Sequence, residues 1–315
     1  MTERAVGVML PRDLPADRFR TYAQRAEALG FDELWVVEDC FFRGGVAQAA
    51  AALAMTERLR VGIGILPAAV RNAAFTAMEA GTLAELFPGR VDVGIGHGMP
   101  GWMRQVGAWP QSPLTMLEEH LEAVRAVLAG SRTSTDGRYV TLDGVQLESV
   151  PPTTRVLAGV RGPKSLALAG RSADGTVLAE PVTPEYVAEA LRHIAPTREH
   201  RIVAYCVAAV DDDASAARDV VRPALEWIGE PDWDVHIAPL PFADEFRALR
   251  ASAPSRADFA AALPDEWVDQ LAVVGTAAGA RTRIGQLHDA GVTTTVLIPV
   301  GPDPLAALEA LARVL

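Results

Sequence analysis

The apolar residues of this chain switch repeatedly between runs that suit a strand and 3.6-residue spacing that suits a helix. Ala5–Leu10 is the first strand candidate. Phe19, Tyr22, Ala23, Ala26 and Leu29 then recur on one helical face, with Gly30 placed to stop the helix. Glu33–Val37, Val61–Leu66 and Val91–Ile95 are the next strands, separated by an alanine-rich helix over 46–57 and a second over 73–87 that ends at Pro88-Gly89. Ser112 as N-cap, Pro113 at the first helical position, Leu117, Leu121, Val124 and Leu128 on one face and Gly130 at the end predict a further helix.

The segment 138–147 (RYVTLDGVQL) has the pattern of a hairpin turning at Asp143-Gly144. After it the repeat resumes, with strands at Arg155–Gly159, Thr176–Ala179, Arg201–Val207 and Thr293–Ile298. Helices fit at Ser165–Arg171, Pro184–Ile194 and Pro304–Val314, and an irregular helical stretch fills about 214–290. Eight strands separated by helices, with no Ser/Gly-rich linker, suit one α/β domain over 1–315. The expected architecture is a (β/α)8 TIM barrel with a hairpin insertion near 138–147 and a helical insertion near 208–270; a doubly wound sheet with an inserted subdomain is the competing topology.

Composition narrows the partners. Half of the 315 residues are hydrophobic and 22% are charged, a globular mixture that excludes a disordered chain. The formal charge of −11, with no block of like charges, argues against nucleic acid. No apolar run approaches the roughly 18 residues that span a bilayer, and no basic-then-apolar leader is evident, so no membrane partner and a cytoplasmic location are expected. Two cysteines, Cys40 and Cys206, form neither a disulfide framework nor a metal-ligand spacing, so no metal is expected. Of the 29 basic residues 28 are arginine; Lys164 is the single lysine.

In a barrel of this kind the residues following each strand share one mouth. They are Glu38, Asp39 and Cys40 after the second strand, Leu66 and Pro67 after the third, Gly96, His97 and Gly98 after the fourth, Arg161 to Ser165 after the fifth, and Glu180 after the sixth. The loop Gly159 to Ser165 (GVRGPKS) leads into a helix, whose free amides together with Arg161 and Lys164 favour an anion; the bland reading is a βα turn with proline at the helix start. Glu38 and Asp39 follow an apolar strand and precede Phe41-Phe42. Either a desolvated carboxyl there donates protons, or the pair caps a helix and meets Arg43. Gly62 and Gly64, and Gly94 and Gly96, put paired glycines in strands, for close ligand approach or for relief of crowding; neither pair belongs to a dinucleotide fingerprint. His97 is a catalytic or a structural histidine on this pattern. The aromatic residues of 211–270, including Trp227, Trp233, Phe242, Phe246 and Trp267, either line a substrate pocket or pack an amphipathic insertion.

Taken together, the segments 34–45 (LWVVEDCFFRGG), 61–72 (VGIGILPAAVRN), 89–98 (GRVDVGIGHG) and 159–175 (GVRGPKSLALAGRSADG) resemble the bacterial luciferase-like flavin monooxygenase superfamily. They look most like its coenzyme F420 branch, which includes glucose-6-phosphate dehydrogenases and methylenetetrahydromethanopterin reductases. The resemblance covers most of 5–180 and the final strand region, and it is weak over about 208–270. It implies a barrel, a homodimer, and a deazaflavin (coenzyme F420) or FMN in the mouth. Arg161, Gly162, Pro163, Lys164 and Ser165 are implied as the cofactor phosphate site, the bond Gly64–Ile65 as a non-prolyl cis peptide against the ring, and Asn72, Gly96, Gly98, Asp39 and Glu180 as further cofactor contacts.

One departure is plain. The acid-then-histidine pair common in those relatives reads Glu38-Asp39 here, or places Cys40 at the histidine, so the imidazole is missing. The implied reaction is hydride transfer between the deazaflavin and a small organic substrate, with Glu38, Asp39 or His97 handling the proton. An FMN-dependent monooxygenase using reduced flavin and oxygen, and a non-catalytic flavin-binding barrel, are the two competing functions.

Overall fold

The computed structural model describes residues 4–315. Eight parallel strands pair in sequence around a closed ring: β1 (Ala5–Met9), β2 (Glu33–Val36), β3 (Arg60–Pro67), β4 (Val91–Gly96), β5 (Arg155–Gly159), β6 (Gly175–Leu178), β7 (Arg201–Val210) and β8 (Thr294–Pro299). β8 pairs with both β1 and β7, and β6 pairs with β7, which closes the (β/α)8 barrel. All eight strands lie within a few residues of the predicted runs, because each apolar run is bounded by turn residues and buried on both sides. A short ninth strand, Val273–Gly275, extends β7 at its far end.

The barrel interior is filled in layers. At the base, the inward residues Glu33 of β2, Asp92 of β4 and Arg201 of β7 meet as a buried ion cluster. Arg201 pairs with both acids and donates to Thr294 Oγ1 at 2.7 Å, and Arg60 reaches Asp92 at 3.1 Å. Above it lie Trp35, Leu157, Val177, Val203, Tyr205 and Val296. Trp35 donates through Nε1 to Glu33 at 2.8 Å and meets Tyr205 edge-on, with centroids 5.9 Å apart. A Cβ on Gly62 would run into the Trp35 ring, so that glycine makes room for the indole.

Two regions differ from the expected pattern. The hairpin is formed by Thr133–Asp136 and Thr141–Val145 and turns at 137–140, so Asp143-Gly144 lies inside its second strand. The cause is tertiary: the Glu119 carboxylate accepts from the amides of Arg138, Tyr139 and Val140 and fixes the turn there. Ser112 stands at the N-cap position of Pro113–Leu128 but does not cap with its side chain, which bonds the Thr115 hydroxyl at 2.7 Å.

The region after β7 is helical, with Ala214–Val221, Ala243–Ser252, Arg256–Ala262 and Asp265–Leu271 packed on a core of their own that includes Val221, Leu225, Phe246, Phe259 and Val268. Its aromatic residues serve mostly as packing: Phe242 stacks on Trp267 at 4.7 Å, and Phe246 meets Phe259 edge-on at 5.1 Å. Among the described residues no helix is long and apolar enough to cross a membrane, and no group of three or more His, Cys, Asp or Glu residues is arranged to hold a metal.

Candidate active site

The loops after β1 to β6 bring the predicted site residues to the carboxyl-terminal end of the barrel. Their chemistry differs from one residue to the next. Glu38 sits at the amino end of the helix Gly45–Met55 and accepts from the Gly45 amide at 2.6 Å; Arg71 clamps the same carboxylate with a bidentate contact of 2.7 and 2.9 Å. Arg71 also pairs with Glu79 at 3.0 Å. Both Glu38 oxygens therefore face fixed donors, an arrangement that anchors the loop and leaves the group no free edge for a substrate. Of the two readings of this carboxylate, helix cap and ion pair prevail, with Arg71 rather than Arg43 as the cation. Arg43 instead donates to backbone carbonyls, among them that of Leu14 at 2.5 Å.

Asp39 accepts from Arg12 at 2.8 Å, tying the second loop to the first. Cys40 follows, joined to Phe41 by a cis peptide; Phe41 and Phe42 are exposed, and Arg12 lies over the Phe42 ring at 4.8 Å. Burial raises the Cys40 thiol pKa, and the charges of Glu38 and Asp39 add to the effect, so this cysteine is held as the thiol.

The Gly64–Ile65 bond is cis, as the resemblance implies. There the register between β3 and β4 shifts, and the Ile65 side chain turns toward its neighbours. A Cβ on Gly96 would lie 3.1 Å from Ile65 and 2.7 Å from the Gly159 carbonyl, and one on Gly159 would collide with Ile65 outright. These glycines make room for Ile65. A Cβ on Gly64 would strike the Tyr205 hydroxyl, which puts that hydroxyl directly against the cis bond. Tyr205 Oη is buried and has no hydrogen-bond partner among the described residues. Its pKa is raised, first by burial and then by Glu180, Asp39 and Glu33. A buried hydroxyl without a partner is costly unless something else comes to meet it.

The fifth loop runs Gly159 to Gly162 into the helix Pro163–Ser172, with Gly162 as N-cap. Gly162 has no side chain to cap with and Pro163 has no N–H, so the amides of Lys164 and Ser165 open toward the mouth as the helix's orphan donors. Lys164 is exposed and makes no ion pair among the described residues. Ser165 Oγ lies 3.2 Å from His97 Nε2, joining the fourth and fifth loops. Burial lowers the pKa of His97, which favours the neutral ring. Arg161 lies over the Trp233 ring at 4.8 Å, while its carbonyl accepts from Tyr186 Oη at 3.0 Å. Trp233 is thus one aromatic residue of the helical insertion that does reach the mouth.

Asn72 is engaged elsewhere: its Oδ1 caps the helix Ala73–Leu86 by accepting from Ala74 at 2.9 Å. Gly98 takes a positive φ of 73°, which lets the fourth loop turn away from the strand. Glu180 ends the sixth strand region, and its bond to Pro181 is cis. Sequence reasoning did not single out Tyr205, Arg12 or Arg71. For Tyr205 a signal existed, since the period-2 alternation of β7 that puts Arg201 and Val203 inside puts Tyr205 there as well.

Comparison with known proteins agrees with this geometry. The 5,10-methylenetetrahydromethanopterin reductase of Methanolobus tindarius is 30% identical over 96% of this chain and 97% of its own length. An F420-dependent glucose-6-phosphate dehydrogenase of Beutenbergia cavernae is 32% identical over 53% of this chain and 52% of its own. Among solved structures, the coenzyme F420-dependent tetrahydromethanopterin reductase of Methanopyrus kandleri superposes with a TM-score of 0.83 at 22% identity, covering 98% of this chain and 97% of that one. The profile of the luciferase-like monooxygenases matches residues 2–294. With that match over most of its length and a relative similar along the whole of it, the chain belongs to the luciferase-like monooxygenase family.

Proposed function

We propose that the protein is a coenzyme F420-dependent oxidoreductase that moves a hydride between the deazaflavin and a small organic substrate at the barrel mouth. The observation that carries this reading is the full-length similarity to a methylenetetrahydromethanopterin reductase. The residues present fit such a cofactor. Lys164 and the orphan amides of its helix suit a phosphate. Tyr205 Oη, buried without a partner against the cis bond, suits a polar edge of the ring system.

When bound, the deazaflavin supplies the two electrons and the hydrogen that travel as hydride. The chain supplies placement. Lys164 and the amides of Lys164 and Ser165 would hold the phosphate, with Arg161, braced on Trp233, adding positive charge beside it. Tyr205 Oη, buried against the cis bond, would donate a hydrogen bond to a polar edge of the ring. Glu38, Arg71, Asp39 and Arg12 fix the first, second and third loops around it. The orienting contacts are made before the cofactor arrives, so little order has to be gained on binding.

A homodimer goes with this reading. Phe75, Met78 and Leu86 form an exposed apolar stripe along Ala73–Leu86, with Val70 beside it, and a second copy is the occupant we assign to it; a monomeric mass in solution would contradict that. A cytoplasmic setting fits the two unpaired cysteines.

Equilibrium titration of the apoprotein with coenzyme F420 against FMN is the test. F420 should bind saturably and more tightly, and Lys164→Ala should weaken it by about tenfold, about 1.4 kcal/mol. Preference for FMN would move the protein to the flavin monooxygenase alternative. Unchanged affinity in Lys164→Ala would remove the phosphate site from this loop.

A further inference from the structure

The proton that accompanies the hydride needs a source, and the residues first suggested by the sequence are poorly suited. Glu38 is clamped by Arg71 and Gly45, Asp39 is paired with Arg12, and His97 is tied to Ser165. Glu180 is different. No other residue hydrogen-bonds to its carboxyl and it forms no ion pair among the described residues. It sits at the end of the sixth strand region, where the cis bond to Pro181 sets the direction of the chain, and the Pro181 carbonyl is held at 3.0 Å by buried His236.

The charged and titratable groups around Glu180 come from every side of the mouth: Arg12 after β1, Asp39 after β2, Arg161 after β5, and Tyr205 and Cys206 on β7. Only Tyr205, the hydroxyl against the Gly64–Ile65 bond, belongs to the mouth floor. The sixth strand pairs with β7, so Glu180 at its end and Tyr205 on β7 flank the same part of the mouth, where the ring system would rest.

We propose that Glu180 is the catalytic acid, giving its proton to the heteroatom of a substrate C=O or C=N bond as hydride adds to the carbon. This rests on the oxidoreductase reading above. In the reducing direction the hydride forms the new C–H bond with two electrons from the reduced deazaflavin. The π pair moves onto the heteroatom, which takes the Glu180 proton as its new O–H or N–H. The carboxylate left behind recovers a proton from solvent, into which the oxidised cofactor's own proton is released, so hydrogen and charge balance over a cycle.

Burial is the main influence on the carboxyl and raises its pKa; Asp39 pushes the same way, while its own backbone amide, Arg161 and Arg12 oppose. A raised pKa keeps an acid loaded at a pH where an exposed glutamate is already ionised. Turnover in the reducing direction should accordingly fall as pH rises through the Glu180 pKa.

The test pairs the apoprotein with the loaded enzyme. In apoprotein carrying 13C-labelled glutamate carboxyls, one signal should stay protonated at a pH where the remaining glutamates are ionised, and it should be missing from Glu180→Gln. In the holoenzyme, Glu180→Gln should bind F420 within threefold of wild type. It should lose about 100-fold or more in kcat, with acetone as a simple carbonyl probe and with 5,10-methylenetetrahydromethanopterin as a second probe, in which the methylene carbon takes the hydride as one of its two C–N single bonds breaks and the released nitrogen takes the proton. The alkaline limb of the kcat profile should vanish in Glu180→Gln and persist in Glu180→Asp.

If all glutamates of the wild type ionise together, or if Glu180→Gln keeps kcat within threefold with the limb intact, the assignment is overturned. Failure of the wild type to bind F420 would instead overturn the cofactor reading, and the apoprotein titration would still decide whether Glu180 is a loaded acid.

Discussion

Strand β7 carries Arg201 and Tyr205 on its inner face, four residues apart, and the two ends of the barrel differ as these two side chains do. At the base, Arg201 is matched by Glu33 and Asp92 and bonded to Thr294. At the mouth, Tyr205 has a buried hydroxyl with no partner, Glu180 a carboxyl with no cation on it, and Lys164 an unpaired charge, among the described residues. The base matches its charged groups against one another, with Asp92 Oδ1 lacking a hydrogen bond but lying 3.8 Å from Arg155, and that holds the ring of strands closed. The mouth leaves several groups waiting for something outside the chain. The two needs are separated by one layer of apolar side chains: Trp35, Leu157, Val203 and Val296.

The largest effect should follow from unpairing the base. Arg201→Ala removes the inner cation shared by Glu33 and Asp92 and leaves them facing Arg60 at 3.8 and 3.1 Å, and should cost about 3 kcal/mol. Urea unfolding should report that loss, and the Tm should fall by on the order of 10 °C. F420 affinity, measured well below the transition, should stay within threefold. A collapse of binding would show that the two ends are not independent.

Acid should act at both ends through desolvated histidines, His236 fully buried and His200 half-buried. Burial lowers the pKa of His236 to about 3, and lowers His120 and His200 to about 4, from an ordinary value of 6.5. A folded-state pKa below the unfolded one means that the unfolded chain binds protons in this window while the folded chain does not. Stability should therefore drop as pH falls from about 6.5 towards 4, by at most about 1.4 kcal/mol per pH unit for each histidine. His236, under the Glu180–Pro181 corner, belongs to the mouth, and His200, bonded to Thr176 at 2.8 Å, to the base. Replacing each by asparagine and repeating the pH series of urea midpoints should flatten the slope in both cases. A slope unchanged by both replacements would place the acid sensitivity elsewhere.

The smallest change in stability should come from Tyr205→Phe. Removing a buried hydroxyl that has no partner should leave stability within about 1 kcal/mol of wild type, or raise it slightly. The same substitution should weaken F420 binding. If it costs stability and spares binding, the mouth is not the unsatisfied end.

Much of the fold was legible because it depends on local periodicity. All eight strands, the Gly30 and Gly130 helix ends and the helix start at Pro184 follow from residues close together in sequence. The hairpin turn was not legible, since Asp143-Gly144 has good turn chemistry and lost to a glutamate on a distant helix. The candidate site divides in the same way. Residues of the phosphate loop were recognisable from a compact motif. Glu38 and Asn72 looked chemically available, and are consumed by Arg71, Gly45 and a helix cap.

Periodicity and turn residues thus suffice for the eight strands and the loops that follow them, while the closure of those strands into a ring, against a doubly wound sheet, rests on the pairing of β8 with β1 and β7. Which carboxylates are spent on partners and which are left free was decided only in three dimensions. A side chain's pairing depends on neighbours such as Arg12 against Asp39, Arg71 against Glu38 and Tyr205 against Gly64, each supplied by a different strand or loop. Desolvation likewise comes from the whole packed surround, which no stretch of sequence contains.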